Sequence, residues 1–235
     1  MPTKRLKLSN NEIYHIVVRG IEGRNIFSNE RDYSRAIRNF FEFNDSHAVS
    51  WSFRRENVSR TEFEKRSRTT TTERDLLVEV LAFCLMPNHI HLLLKQIKDG
   101  GISKFMRKFG AGYVGYFNRK YERQGHLFQG RFRAVHIKTD NQLRSVFVYI
   151  HTNPAALIDP NWKEGGIGNP EKIIKFIGNY KWSSYQDYLG KDNFSSVTHR
   201  DLFEKMMSRE KWQKFINEWV EYKSFRGWDK SVELE

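Results

Sequence analysis

Cysteine is almost absent. A single one, Cys84, occurs in 235 residues, which excludes an intramolecular disulfide framework and any multi-cysteine zinc ribbon. Long apolar runs are also missing. The longest, Val80 to Met86, falls far short of the roughly 20 residues that span a bilayer. The first residues, Met1-Pro2-Thr3-Lys4-Arg5-Leu6, carry charge without a following apolar region, so no signal peptide is expected there. These absences lead us to expect a cytoplasmic protein. Hydrophobic residues at 39% and aromatics at 14% are enough to bury a core.

The charge is of one dominant sign. Lys and Arg number 40 against 28 Asp and Glu, a formal net charge of +12, and the excess is not spread evenly. Between Ile102 and Lys138 nine basic residues, among them Lys104, Arg107, Lys108, Arg131 and Arg133, face only one acid, Glu122; from His199 to Glu235 eight basic and eight acidic residues cancel. The basic stretch is interleaved with aromatics. Ile102, Phe105, Phe109, Tyr113, Tyr116 and Tyr121 recur at helical intervals, so most of these rings belong to a core. The basic side is then free to neutralise phosphates of a nucleic acid.

Periodicity divides the chain into alternating elements. Ile13 to Val18 reads as a strand closing at Gly20, and Ser28 or Asn29 caps a helix from about Glu30 to Asn44. Asp45 to Asp75 is polar, includes Thr69-Thr70-Thr71-Thr72, lacks periodicity, and reads as an insertion. Leu76 to Met86 and His89 to Lys95 form a hairpin about Pro87-Asn88. A basic amphipathic helix runs to about Arg123, a strand covers Phe132 to Ile137, and Asp140 or Asn141 caps a helix that stops at Asn153-Pro154. The order β-α-β-β-α-β predicts an α+β fold: a ferredoxin-like split βαβ core with an antiparallel sheet and its helices on one face. We place this core at 1–155 and a helical C-terminal extension at 156–235, with short helical patterns at 171–177, 184–189 and 200–222.

His89 and His91 lie two apart in a strand and so project to one face, with Ile90, Leu92 and Leu94 on the other. Paired imidazoles suit a divalent metal, Mg²⁺ less readily than softer ions, although two ordinary polar-face histidines have the same spacing. Tyr149 and Asn153 are one helical turn apart beside an apolar stripe. If the histidines point to the helix-covered face, an Asn153 carboxamide oxygen can join them. By spacing alone, Tyr149 as a space-filler and Asn153 as a helix cap before Pro154 explain the pattern slightly better.

The stretch Phe83-Cys84-Leu85-Met86-Pro87-Asn88-His89-Ile90-His91-Leu92-Leu93 resembles the His-hydrophobic-His strand of single-tyrosine (HUH) transposases, and Tyr149-Ile150-His151-Thr152-Asn153-Pro154 resembles their catalytic-tyrosine helix. Tyr14 to Gly20, Gly125 to Phe132 and Tyr180 to Tyr185 are similar to the REP-associated tyrosine transposase branch, in that order along residues 12–190. Ile21 stands where the family has asparagine after Arg-Gly, and the 45–75 segment is longer than usual.

The resemblance implies cleavage and rejoining of hairpin-bearing single-stranded DNA. His89, His91 and Asn153 would hold Mg²⁺ or Mn²⁺, and Tyr149 would form a 5′-phosphotyrosine. From the basic stretch we expect Lys104, Arg107, Lys108, Arg131 and Arg133 to contact the DNA phosphates. Members occur as homodimers and monomers, and the long tail favours a monomer here. The main rival is a catalytically silent nucleic-acid-binding domain of the same descent.

Overall fold

The computed structural model describes residues 6–47 and 74–225. Most of the expected insertion, Thr69 to Thr72 included, lies outside the described residues. The elements run β1 (Ile13–Arg19), α1 (Glu30–Phe43), β2 (Val78–Met86), β3 (His89–Gln96), α2 (Gly101–Lys120), β4 (Arg133–Ile137) and α3 (Asp140–Thr152). There follow α4 (Trp162–Gly165), α5 (Pro170–Asn179), α6 (Tyr185–Tyr188), α7 (Asp201–Met206) and α8 (Arg209–Phe225). None of the described helices is long and apolar enough to cross a membrane.

The four strands form one sheet in the order β2-β3-β1-β4, with every neighbouring pair antiparallel. This is the split βαβ topology expected from the element order, and the fold is α+β. Strand alternation then gives the two faces different work. Tyr14, Ile16, Val18, Ile90, Leu92 and Leu94 pack with Phe40 of α1 and Phe105 and Phe109 of α2 in one buried cluster. Burying each such side chain stabilises the fold by about 1.5–3 kcal/mol. Gly112 brings the two helices together, since a Cβ there would lie 2.3 Å from the Phe43 ring.

The ends of α1 are held by side chains. Asn29, not Ser28, is its N-cap: it accepts from the Arg31 N–H, while the Asp32 carboxylate reaches back to the Asn29 and Ser28 amides. Asp32 also receives bonds from Tyr116, Tyr121 and Lys120 of the α2 end. Burial alone would raise its pKa, but these donors outweigh it and hold the carboxyl below the ordinary value. At the other end Asn44 accepts from the Leu77 and Val78 amides and donates to the Val78 carbonyl, fixing the start of β2.

The second face is covered as well, and this differs from a sheet with helices on one side only. The two split-βαβ helices, α1 and α2, do share one face. The other carries α3 and the extension, with Leu81, Cys84, Met86 and Leu93 of the sheet packed among Val146, Phe147, Ile150, Tyr188, Phe203 and Trp212. The extension also closes the β2 edge: the Leu85 N–H donates to the Trp182 carbonyl, the Ser184 N–H to the Phe83 carbonyl and the His199 N–H to the Val80 carbonyl. An edge strand so occupied has no row of open backbone groups there. The N-cap of α3 is Thr139, whose hydroxyl accepts from the Gln142 N–H, rather than Asp140 or Asn141.

Candidate active site

The strand registers bring the site together. β1 and β3 pair with Arg19 opposite His89 and Val17 opposite His91, while β2 sets Cys84 against His91 and Met86 against His89. Directly paired residues share a face. His15, Val17, Arg19, His89 and His91 therefore all project away from α1 and α2, toward α3.

His91 is fully buried. Its Nδ1 lies 2.9 Å from His15 Nε2, and the two rings stack at 5.1 Å between centroids. Burial, then the neighbouring charges of His89, His15, Lys163 and Arg19, drives its pKa well below the ordinary value, so the imidazole is neutral. Its Nε2 is buried and has no hydrogen-bond partner, a costly arrangement for a polar atom unless something else occupies that direction.

His89 is half-buried, and its ring stands perpendicular to His91 at 4.8 Å. Asn88 donates its amide N–H to the Gly23 carbonyl and so presents Oδ1, 2.6 Å away, to His89 Nδ1. Nδ1 carries the proton in this pair. The remaining nitrogen, Nε2, faces Asn153 Oδ1 at 3.3 Å. In the neutral tautomer that places two lone-pair atoms face to face, an arrangement suited to a cation between them. Asn153 is buried, and its Nδ2 has no partner.

Tyr149 projects from α3 into this group, only 3% exposed. Its ring meets His91 edge-on at 5.4 Å and His15 at 6.0 Å. Lys163, on α4, donates from Nζ to the Tyr149 hydroxyl at 3.0 Å. Phenol and histidines belong to one chain.

His89, His91, Tyr149 and Asn153 lie together on the sheet face opposite the split-βαβ helices. Among the described residues no cluster of three or more His, Cys, Asp and Glu is arranged as a metal site; the donors here are two imidazoles and one carboxamide oxygen. The expected DNA contacts separate. Arg133 pairs with Val17 and so shares the site face, where it is exposed, and exposed Arg131 lies two residues before it. Lys104, Arg107 and Lys108 sit on α2, across the sheet. Lys104 Nζ donates to the Ser46 carbonyl and Lys108 Nζ to those of Asp45 and His47, while Arg107 is exposed.

Sequence reasoning missed three residues. His15 and Arg19 have the strand parity that sends them to the histidine face, a signal available in Tyr14-His15-Ile16-Val17-Val18-Arg19. Lys163 gave none, since it reaches the site only through the fold of the extension. His151, inside the tyrosine motif, is structural: its Nε2 pairs with Ser184 Oγ at 2.8 Å, and burial pushes its pKa down to about 3.

A family model described as transposase, IS200-like, matches residues 44–153. No curated protein matches the sequence. Among solved structures, a REP-associated tyrosine transposase bound to a REP hairpin is similar at 13% identity and a TM-score of 0.48, over 86% of this chain and 93% of that one. A bacterial tRNA(His) guanylyltransferase-like protein in complex with ATP is similar at 11% identity and a TM-score of 0.37, over 78% and 77%. The stretch 44–153, which holds His89, His91, Tyr149 and Asn153, is thus similar to IS200-like transposases.

Proposed function

We propose that this protein is a transposase, a metal-dependent enzyme that nicks and rejoins single-stranded DNA beside a hairpin, with Tyr149 as nucleophile. One observation carries the reading: a buried tyrosine, two strand histidines and an asparagine oxygen converge at one point of the sheet.

The donor set fits a divalent cation through His89 Nε2, His91 Nε2 and Asn153 Oδ1. The partnerless, buried Nε2 of neutral His91 supports this most directly. Two imidazoles favour Mn²⁺ over Mg²⁺. His15 orients the site, since a ligating imidazole gains direction and basicity by donating its second N–H to a neighbour. When bound, the metal would polarise a phosphate oxygen and offset charge developing in the transition state.

Tyr149 supplies the covalent step. Its Oη–phosphorus bond forms as the phosphorus–O3′ bond breaks; the phenol loses its proton and the leaving 3′-oxygen gains one. The products are a 5′-phosphotyrosine and a 3′-hydroxyl, and reversal rejoins a strand without ATP. An ordinary phenol has a pKa of about 10, so ionising it at neutral pH costs about 4 kcal/mol. The nearby Lys163 ammonium opposes that cost by favouring negative charge on the oxygen. The Tyr149 ring meets the His91 ring within the same chain, which supports action in cis.

The substrate follows from charge. Arg19 and Arg133 share the site face and Arg131 lies close in sequence, a setting for the backbone of a single strand. Incubation with single-stranded DNA from the flanks of the gene and Mn²⁺ should give a protein–DNA adduct that survives a denaturing gel. Binding without any adduct would favour a silent DNA-binding domain instead.

A further inference from the structure

Lys163 lies beyond the 44–153 stretch matched by the family model, on the four-residue helix α4, yet it touches the oxygen assigned above as the nucleophile. Its position is built in. The preceding Trp162 is fully buried, with its ring edge-on to Trp219 of α8 at 5.7 Å. The turn is closed by the Trp162 N–H donating to the Asp159 carbonyl, and Ile167 N–H binds the Lys223 carbonyl at the end of α8. The long helix of the extension thereby holds α4 against the site. The Lys163 ammonium lies 3.0 Å from Tyr149 Oη and 5.1 Å from the centre of the same ring.

We propose that Lys163 anchors the scissile phosphate, so that the C-terminal extension completes the cleavage site. This deepens the reading of Tyr149 as nucleophile and rests on it. For attack, phosphorus must come within about 3–3.5 Å of Tyr149 Oη. The non-bridging oxygens of that phosphate then fall within hydrogen-bond reach of an ammonium already touching Oη. An ammonium carries three N–H donors and can bond more than one oxygen. Lysine binds phosphate as a compact point charge. Lys163 would thus hold the phosphate in line with the phenol and stabilise charge on the phosphoryl oxygens as it develops.

Full-length Lys163→Gln and Lys163→Arg separate the charge from the hydrogen bond, because glutamine still donates to the phenol and arginine keeps the cation. The probe is a fluorescein-labelled single strand with one hairpin, taken from the flanks of the gene. Its binding is titrated against salt in chelator, and adduct formation is timed in Mn²⁺. Lys163→Gln should lower the salt slope by about 0.7, the loss of one phosphate contact on a single strand. It should also slow adduct formation about 10²-fold at saturating DNA. Lys163→Arg should restore the slope and most of the rate. A Lys163→Gln variant with the slope and rate of the wild type would overturn the proposal, leaving Lys163 as a mere support of the phenol. A wild type that binds but never forms an adduct would defeat the nucleophile reading and with it a scissile phosphate at Lys163, whereas normal adduct formation by all three proteins would defeat the Lys163 proposal alone.

Discussion

The two faces of the sheet are made by the same strands and have opposite characters. Toward α1 and α2, Tyr14, Ile16, Val18, Ile90, Leu92 and Leu94 are all apolar or aromatic and sealed in a core. Toward α3, the alternate positions His15, Arg19, His89 and His91 carry nitrogen, and the burial of His15 and His91 is complete. Burying imidazoles is expensive unless they are partnered or ligating. The first face keeps the strands in register, and the second uses that register to aim side chains. A shift of one residue in β3 would exchange Ile90, Leu92 and Leu94 with the histidines and destroy both faces at once.

Substitutions on each face should break this contrast differently. The largest effect belongs to Tyr149→Phe, which removes the nucleophilic oxygen and keeps the ring against His91 and His15. No covalent adduct should form on a denaturing gel, while binding of the hairpin strand stays close to wild type; a surviving adduct would move the nucleophile elsewhere. On the opposite face, Leu92→Ala should cost about 2–5 kcal/mol of stability in urea unfolding. The protein that remains folded should bind Mn²⁺ as before, and a matching loss of metal affinity would show that the faces are not independent.

A smaller effect is expected from His15→Ala. Loss of the group that orients His91 should weaken Mn²⁺ binding about 10–100-fold by calorimetry, with little change in the urea midpoint. Metal affinity equal to that of the wild type would reduce His15 to packing. Smallest of all is the difference between two charge reversals. Arg133→Glu, on the site face, should flatten the salt dependence of DNA binding, whereas Arg107→Glu, on α2, should leave it nearly unchanged. The reverse ranking would put the DNA on the helical side of the sheet.

Much of this was legible in the sequence because it rests on short-range periodicity. The alternation His89-Ile90-His91-Leu92 fixes which residues share a face, and the four-residue spacing from Tyr149 to Asn153 puts them on one side of α3. Asn29 as a helix cap and Pro154 as a stop follow from backbone chemistry. What periodicity does not carry is the face on which the third helix lands. That depends on the extension, whose Tyr188, Phe203 and Trp212 pack around Phe147 of α3. The same long-range packing hid Lys163, which is local to nothing in the site. For Lys104 and Lys108 the sequence shows only charge; that their ammonium groups bond carbonyls at 45–47 emerges only in the fold.

The most direct measurement of the central claim is mass analysis of the adduct after trypsin. Cleavage after Arg144 and Lys163 releases a peptide in which Tyr149 is the sole tyrosine. If phenol and histidines act on one phosphate, that peptide carries the mass of a nucleotide fragment, and it does so only when Mn²⁺ or Mg²⁺ is supplied. A nucleotide on any other peptide, or an adduct that forms equally well in chelator, would contradict it.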